Sequence, residues 1–335
     1  MRHPGVLHYM IHSYDDPIHA PLGLRAARRY GAVAPDAPHA LHMTSHIFIA
    51  LGMWDEVIAA NQNAWRVGNA LNASRGRPPT ACGHGITWLT YGYLQEGRDA
   101  NAAKVLAGCR VAAMAGLAAA RSAGSDPDRS AVGSFVFMRL LQTVETGQQD
   151  SAEALTFPAA GYEWPTFNDA YGDAVAALRT NDIQRLKTAA ARLAALAPAV
   201  HAELTAEGDD NRADRESIEV MVNEIAAAAQ IRAGDVEPGL AALHKAAESE
   251  SDMPMEFGPP AVALPAGELL GEELLRAGKP ADAAAAFRNA LSRAPGRTRS
   301  LEGLARSAEL AGDASAAAKA RTELARYPRG GEVSR

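Results

Sequence analysis

The sequence predicts an all-α protein assembled from successive helical hairpins. Segments of helical pattern follow one another along the chain, and no stretch reads as a convincing strand. Alanine is abundant while aromatic residues make up only 6%, which favours close-packed helices over a β-sandwich. Glycines recur where helix pairs join, at Gly52, Gly97, Gly234, Gly278 and Gly312.

Each element has a local reason. The first helix runs from Pro4 to about Tyr14, with proline at the first helical position, where its missing N–H costs nothing. Asp15-Asp16-Pro17 breaks it, and a second helix covers about Pro21 to Val33. Ala34-Pro-Asp-Ala-Pro38 is a stiff linker into a third helix that stops at Gly52, a C-cap glycine. Helices follow at about 54–71, 84–96, 99–122 and 128–146, with Ser125-Asp126-Pro127 as a junction. After an irregular stretch from Phe157 to Pro165 come helices at about 166–179, 183–206, 212–233 and 236–249. A second irregular stretch, Asp252 to Pro260, precedes helices at about 266–277, 280–293, 298–310 and 314–326. The tail from Pro328 reads as frayed. This organises the chain as 1–124, rich in histidine, 125–250, 251–328 and a tail of 329–335.

Gly278 and Gly312 lie 34 residues apart. Around Gly278 stand Leu270-Gly271, Leu274, Ala283, Phe287, Ala290 and Pro295, and around Gly97 stand Leu89, Tyr93, Ala102 and Leu106. In spacing and residue type these resemble the tetratricopeptide repeat family. The resemblance implies a right-handed α-solenoid in which the first helix of each pair lines the concave face. The segments His3-Pro-Gly-Val-Leu-His8-Tyr-Met-Ile-His12 and Ala37-Pro-His39-Ala-Leu-His42-Met-Thr-Ser-His46-Ile-Phe48, with Phe257-Gly-Pro-Pro260 and Glu268-Leu-Leu-Gly-Glu272, resemble a group of bacterial tetratricopeptide proteins with no assigned activity.

The histidines carry the chemistry. His39, His42 and His46 are spaced i, i+3 and i+7, so they share one helix face within an arc of roughly 60°. His8 and His12 precede His42 and His46 by 34 residues. On the family's concave-face register, counting back from Gly52 gives His39, His42 and His46, and counting back from Gly97 gives His84, Thr87 and Tyr91. One period before Gly52, the same count gives Gly5, His8 and His12. Packed helices stand about 10 Å apart, so imidazoles from neighbouring hairpins could converge. Neutral imidazole is the commonest metal-ligating side chain, and two histidines at i, i+4 can chelate one ion. The expected ligands of a transition-metal site are therefore His8, His12, His39, His42, His46 and His84. Zinc and copper fit best, with nickel, cobalt and iron admitted by the same chemistry. Three histidines and an open position would suit a metal-dependent hydrolase or oxidase. Taken singly, a histidine is more often a satisfied structural residue, so it is the alignment over two hairpins that carries weight.

Asp15, Asp16, Tyr9, Tyr91 and Tyr93 are close enough in sequence to orient such a site, although a turn and helix cap is the simpler reading of the two aspartates. Trp88 and Tyr91 read as packing. Glu268 and Glu272 fall in the concave column and read as solvated helix charges, and His19, His201 and His244 as surface. The alternative to a metal protein is a noncatalytic scaffold taking a peptide or small molecule in the groove. A third reading is metal sequestration without turnover. Both metal readings expect binding to weaken as ligand imidazoles protonate near pH 6.

Other classes lack support. The net charge is −6 and no basic patch carries interleaved aromatics, so nucleic acid is not an expected partner. No apolar run reaches the roughly 18 residues a membrane helix needs. No secretory leader stands at the start, so the expected location is the cytoplasm. Cys82 and Cys109 form neither a disulfide framework nor a Cys-x-x-Cys zinc pattern. No nucleophile elbow, His-Glu-x-x-His, P-loop or Gly-x-Gly-x-x-Gly is present. The helical pattern begins abruptly, so further repeats or a second copy of the chain, paired through the N-terminal helices, could cover the first helix.

Overall fold

The computed structural model describes residues 3–123, 129–148, 155, 157, 162–207, 212–255 and 257–327. Among the described residues there are fifteen helices and no strand. They are α1 (Pro4–Ser13), α2 (Ala20–Val33), α3 (Pro38–Ala50), α4 (Trp54–Ser74), α5 (His84–Gln95), α6 (Asp99–Ala123), α7 (Arg129–Thr146) and α8 (Glu163–Thr180). Then come α9 (Ile183–Glu207), α10 (Arg212–Arg232), α11 (Val236–Asp252), α12 (Ala266–Arg276), α13 (Pro280–Arg293), α14 (Thr298–Leu310) and α15 (Ala314–Leu324). The junction at 125–127, residues 158–161 and the tail from 328 lie outside the described residues.

Consecutive helices pack on one another along the whole chain, and α1 also reaches α3, α5 reaches α7, and α12 reaches α14. Several joints are made by glycine where the backbone turns left-handed, and that between α8 and α9 by Asn181. Gly52 has φ +63, and a Cβ there would stand 2.7 Å from the Pro295 carbonyl oxygen, so both its conformation and its neighbour exclude a side chain. That neighbour is 243 residues away in sequence.

The N-terminal and C-terminal hairpins therefore meet. Trp54 Nε1 donates to the Gly296 carbonyl at 3.0 Å, and the Tyr327 hydroxyl donates to the Gly52 carbonyl at 2.8 Å. Thr298 N donates to Gln95 Oε1 at 2.9 Å, which ties the start of α14 to the end of α5. A repeat array in which each unit touches only its neighbours would show none of these contacts.

Closure fills the inner face with ions. Arg297 is fully buried, and its guanidinium donates to Glu268 at 2.8 and 3.0 Å and to the Tyr91 hydroxyl at 3.2 Å. It also pairs with Glu145 at 2.6 Å. Burial by itself would raise the Glu268 carboxyl, but the Arg297 and Arg299 guanidiniums and the Ser300 hydroxyl bring it down to about 2. Glu272 is held by Arg179 at 2.5 Å and by Arg299 at 2.9 Å. The expectation of solvated helix charges at Glu268 and Glu272 is thus overturned, because the helices opposite supply arginines that sequence spacing within α12 could not reveal. His19 and His244 are exposed, as expected, whereas His201 is half-buried beside Glu219.

Cys82 and Cys109 form a disulfide, with their Cα atoms 4.8 Å apart. This corrects the expectation of no disulfide. A 27-residue separation carries no pairing signal in itself, and the fold of α4 to α6 brings the two together. The bond fastens the segment just before His84 to α6.

Candidate metal centre

Six histidines form a continuous chain of rings across α1, α3 and α5. His39 and His8 meet with their Nε2 atoms 3.3 Å apart, and the His8 and His12 centroids are 4.7 Å apart. His12 then lies 5.7 Å from His46, His46 lies 5.2 Å from His42, and His42 lies 4.8 Å from His84. The structure brings all six together, because His42 and His46 occupy the face of α3 that looks towards both α1 and α5. His84 is the first residue of α5, where the positive end of the helix dipole disfavours an imidazolium.

Within the chain of rings, His42, His46 and His84 offer nitrogens that all lie within 4.8 Å of one another. His12, Asp15 and His46 form a second such group, so His46 belongs to both. Neither grouping includes His8 or His39, which stand at the exposed end of the chain of rings.

The orientation of the two buried rings follows from their partners. Asn61 on α4 donates its amide N–H to the Val57 carbonyl at 2.9 Å, so the Asn61 Oδ1 is an acceptor. His42 Nδ1 lies 2.6 Å from that oxygen and must carry the proton. His42 Nε2 is then a lone-pair nitrogen, and among the described residues it is buried with no hydrogen-bond partner. His46 Nδ1 lies 2.5 Å from Asp15 Oδ2, with both side chains about 95% buried or more. This leaves its Nε2 for the His42–His84 side. A histidine whose second nitrogen is held by a carboxylate or amide oxygen is the usual condition of a ring that binds metal.

Electrostatics favour the neutral rings that ligation requires. Burial drives His42 down to about 3, against a smaller upward pull from Asn61. Burial, together with the neighbouring His84 and His12, drives His46 down to about 2. His84 is lowered by the same causes, burial first and then His39. Burial raises Asp15 to about 7. A pocket that resists an imidazolium and a lone carboxylate alike is one in which a cation would find neutral nitrogens and a carboxylate without a counter-charge.

Gly85 on α5 makes room for this arrangement. A Cβ there would stand 3.2 Å from both Asn61 Oδ1 and His42 Nδ1. Trp88, one turn on, lies with its ring 4.5–5.0 Å from those of His42, His46 and His84. Phe257 stacks 5.0 Å from His46. The loop carrying it is pinned by Gly258, whose φ of +107 and missing Cβ let the backbone lie against the Trp88 ring, which a Cβ would meet at 2.7 Å. Beside Asp15 a small cleft, open to solvent, runs between Ile49 and Trp54 on one side and Met253, Met255 and Phe257 on the other.

The turn reading given to both aspartates holds for one of them. Asp16 is the turn residue, accepting from the Ile18 and His19 amides at 2.9 and 3.0 Å, whereas Asp15 turns inward to His46. Tyr9 is exposed with its ring 6.0 Å from that of His8, Tyr91 faces Arg297, and Tyr93 accepts from Gln62 at 2.6 Å, so none of these three joins His42, His46 and His84. Asn61 was missed. The available signal was a polar residue among the apolar positions of α4, one that helix periodicity places on the buried side. No protein family matches the chain, and no curated protein matches it.

Proposed function

We propose that this protein is a transition-metal-binding protein whose centre is built on His42, His46 and His84, set in helical hairpins of the tetratricopeptide kind. One observation carries the reading: His42 Nε2 is a buried lone-pair nitrogen with no partner among the described residues, on a ring that offers a donor within 4.8 Å of donors on His46 and His84. Leaving such an atom unsatisfied costs about 1–3 kcal/mol, which a bound cation recovers. Asn61 and Asp15 hold the His42 and His46 rings from outside, and Trp88 and Phe257 pack against them, while His84 is open to solvent. Zinc or copper suits three imidazoles best, and cobalt, nickel or iron is accommodated by the same donors. A bound metal with an open position would supply an acidified water, the basis of a hydrolase or an oxidase.

The scaffold reading needs an open inner groove for a peptide, and Arg297 with its carboxylates occupies that face. No helix of the described residues is long and apolar enough to cross a membrane. The Cys82–Cys109 bond favours an oxidising compartment over the cytoplasm. Self-association through the N-terminal helices is supported by exposed Tyr9, Ile18 and Leu22, and sedimentation of a Tyr9→Glu variant against the parent tests it.

The test of function is spectroscopic. Cobalt added to chelator-treated protein should give tetrahedral d–d bands in the parent and lose them in His42→Ala. Absent or unchanged bands would overturn the assignment.

A further inference from the structure

The sharing of His46 between two donor groups has a consequence for nuclearity. We infer that the centre takes two cations, the second held by His12, Asp15 and the Nδ1 of His46, with the His46 ring as the bridge between them. This rests on the metal reading above.

Three observations carry it. The nitrogens of His12 and His46 and a carboxylate oxygen of Asp15 lie within 4.8 Å of one another, which is the donor set of a two-histidine, one-carboxylate site. Asp15 has a second oxygen, Oδ1, that is buried without a hydrogen-bond partner among the described residues, although its side chain is only 5% exposed. Finally, His46 already directs Nδ1 at Asp15, an imidazole's other nitrogen emerges from the opposite side of the ring, and the same ring belongs to the donor group of His42 and His84. The two donor groups thus meet on one ring without competing for the same lone pair.

Little movement is needed. A cation about 2.0–2.1 Å from each of two donors holds them roughly 3 Å apart, so the 2.5 Å contact of His46 with Asp15 opens by about half an ångström. The proton shared in that contact leaves to solvent as Nδ1 becomes a ligand. His12 is exposed, so the second cation keeps positions open to solvent. Asp15 also lines the solvent-open cleft, which makes the second cation the one a small molecule would reach.

Copper and cobalt uptake distinguishes the outcomes. Chelator-treated protein is reloaded, freed of loose metal by gel filtration and analysed for metal per chain. Two equivalents are expected for the parent and one for His12→Ala, with the cobalt bands of the His42 site retained, whereas Asp15→Asn, which also frees the His46 ring, should lose the second equivalent and weaken the first. In the doubly copper-loaded parent, spin coupling through the bridging ring should reduce the integrated paramagnetic resonance signal well below two spins per chain, and His12→Ala should return one full spin. Parent protein that takes one equivalent, or variants that still take two, would overturn the second cation while leaving the His42 site standing. Parent protein that takes none would overturn both.

Discussion

His42 Nδ1 and Asn61 Oδ1 stand 2.6 Å apart in a place almost closed to solvent, and that hydrogen bond decides which nitrogen of His42 is free to bind. Replacing Asn61 with Leu removes the acceptor and lets the ring choose its tautomer. Loss of such an outer partner typically costs 10- to 100-fold in metal affinity. Competition against a chromogenic chelator should show a weakening of about that size in Asn61→Leu, with the helical circular dichroism unchanged. Affinity equal to the parent's would mean that the amide does not orient the ring.

Gly85 offers a sharper separation of stability from binding. Alanine is favoured over glycine within a helix by about 1 kcal/mol, so Gly85→Ala should not weaken α5. Its Cβ would crowd the His42–Asn61 pair at 3.2 Å. The expected result is an unfolding midpoint at or above the parent's with reduced metal affinity, measured by urea titration and chelator competition on the same sample. Unchanged affinity would show that the pair yields without consequence.

The pH behaviour of the metal-free protein follows from burial. His42 is driven from an ordinary 6.5 down to about 3, so between those values the unfolded chain binds a proton that the folded chain refuses. This contribution to stability is complete above pH 6.5 and is lost as pH falls towards 3. Asp15, raised to about 7, has the opposite sign, costing stability as pH rises from about 4 to 7. A residue-resolved measurement avoids the cancellation: nitrogen-15 shifts of His42 should report the neutral Nδ1–H form from pH 8 to 5, whereas a midpoint near 6.5 would contradict the buried geometry. Proton competition for the metal is accordingly expected well below the pH 6 suggested by free imidazole.

The Cys82–Cys109 bond closes a loop of 27 residues, for which chain entropy gives about 3–4 kcal/mol of stabilisation. Reduction, or a Cys82→Ser and Cys109→Ala double variant, should lower the thermal midpoint by several degrees and loosen the segment that carries His84. Equal midpoints with and without reductant would show that the bond constrains nothing.

Arg297 tests the closure. With no exposure and two carboxylates on its guanidinium, its replacement by Met leaves buried negative charge unpaired, a loss of about 3–5 kcal/mol. Urea denaturation should register it, and a change below about 1 kcal/mol would mean that α14 does not hold α5 and α7 in solution.

Much of this was legible in the sequence. The helices fall within a few residues of their predicted bounds, since proline starts, glycine stops and apolar spacing are all local signals. The convergence of His42, His46 and His84 was legible because two hairpins carry the histidines in one register. What escaped was set by contacts distant along the chain. Glu268 looked solvated because Arg297 is brought to it by closure, and Asp15 looked like a turn residue because its partner is 31 positions away. The pairing of Cys82 with Cys109 belongs to the same class.

The central claim is most directly tested by metal analysis of chelator-treated, reloaded and desalted protein beside His42→Ala and His84→Ala. The account predicts at least one tightly held zinc, copper, cobalt or nickel ion per chain in the parent and a clear loss in both variants. Stoichiometric uptake of none of these metals by the parent would contradict it.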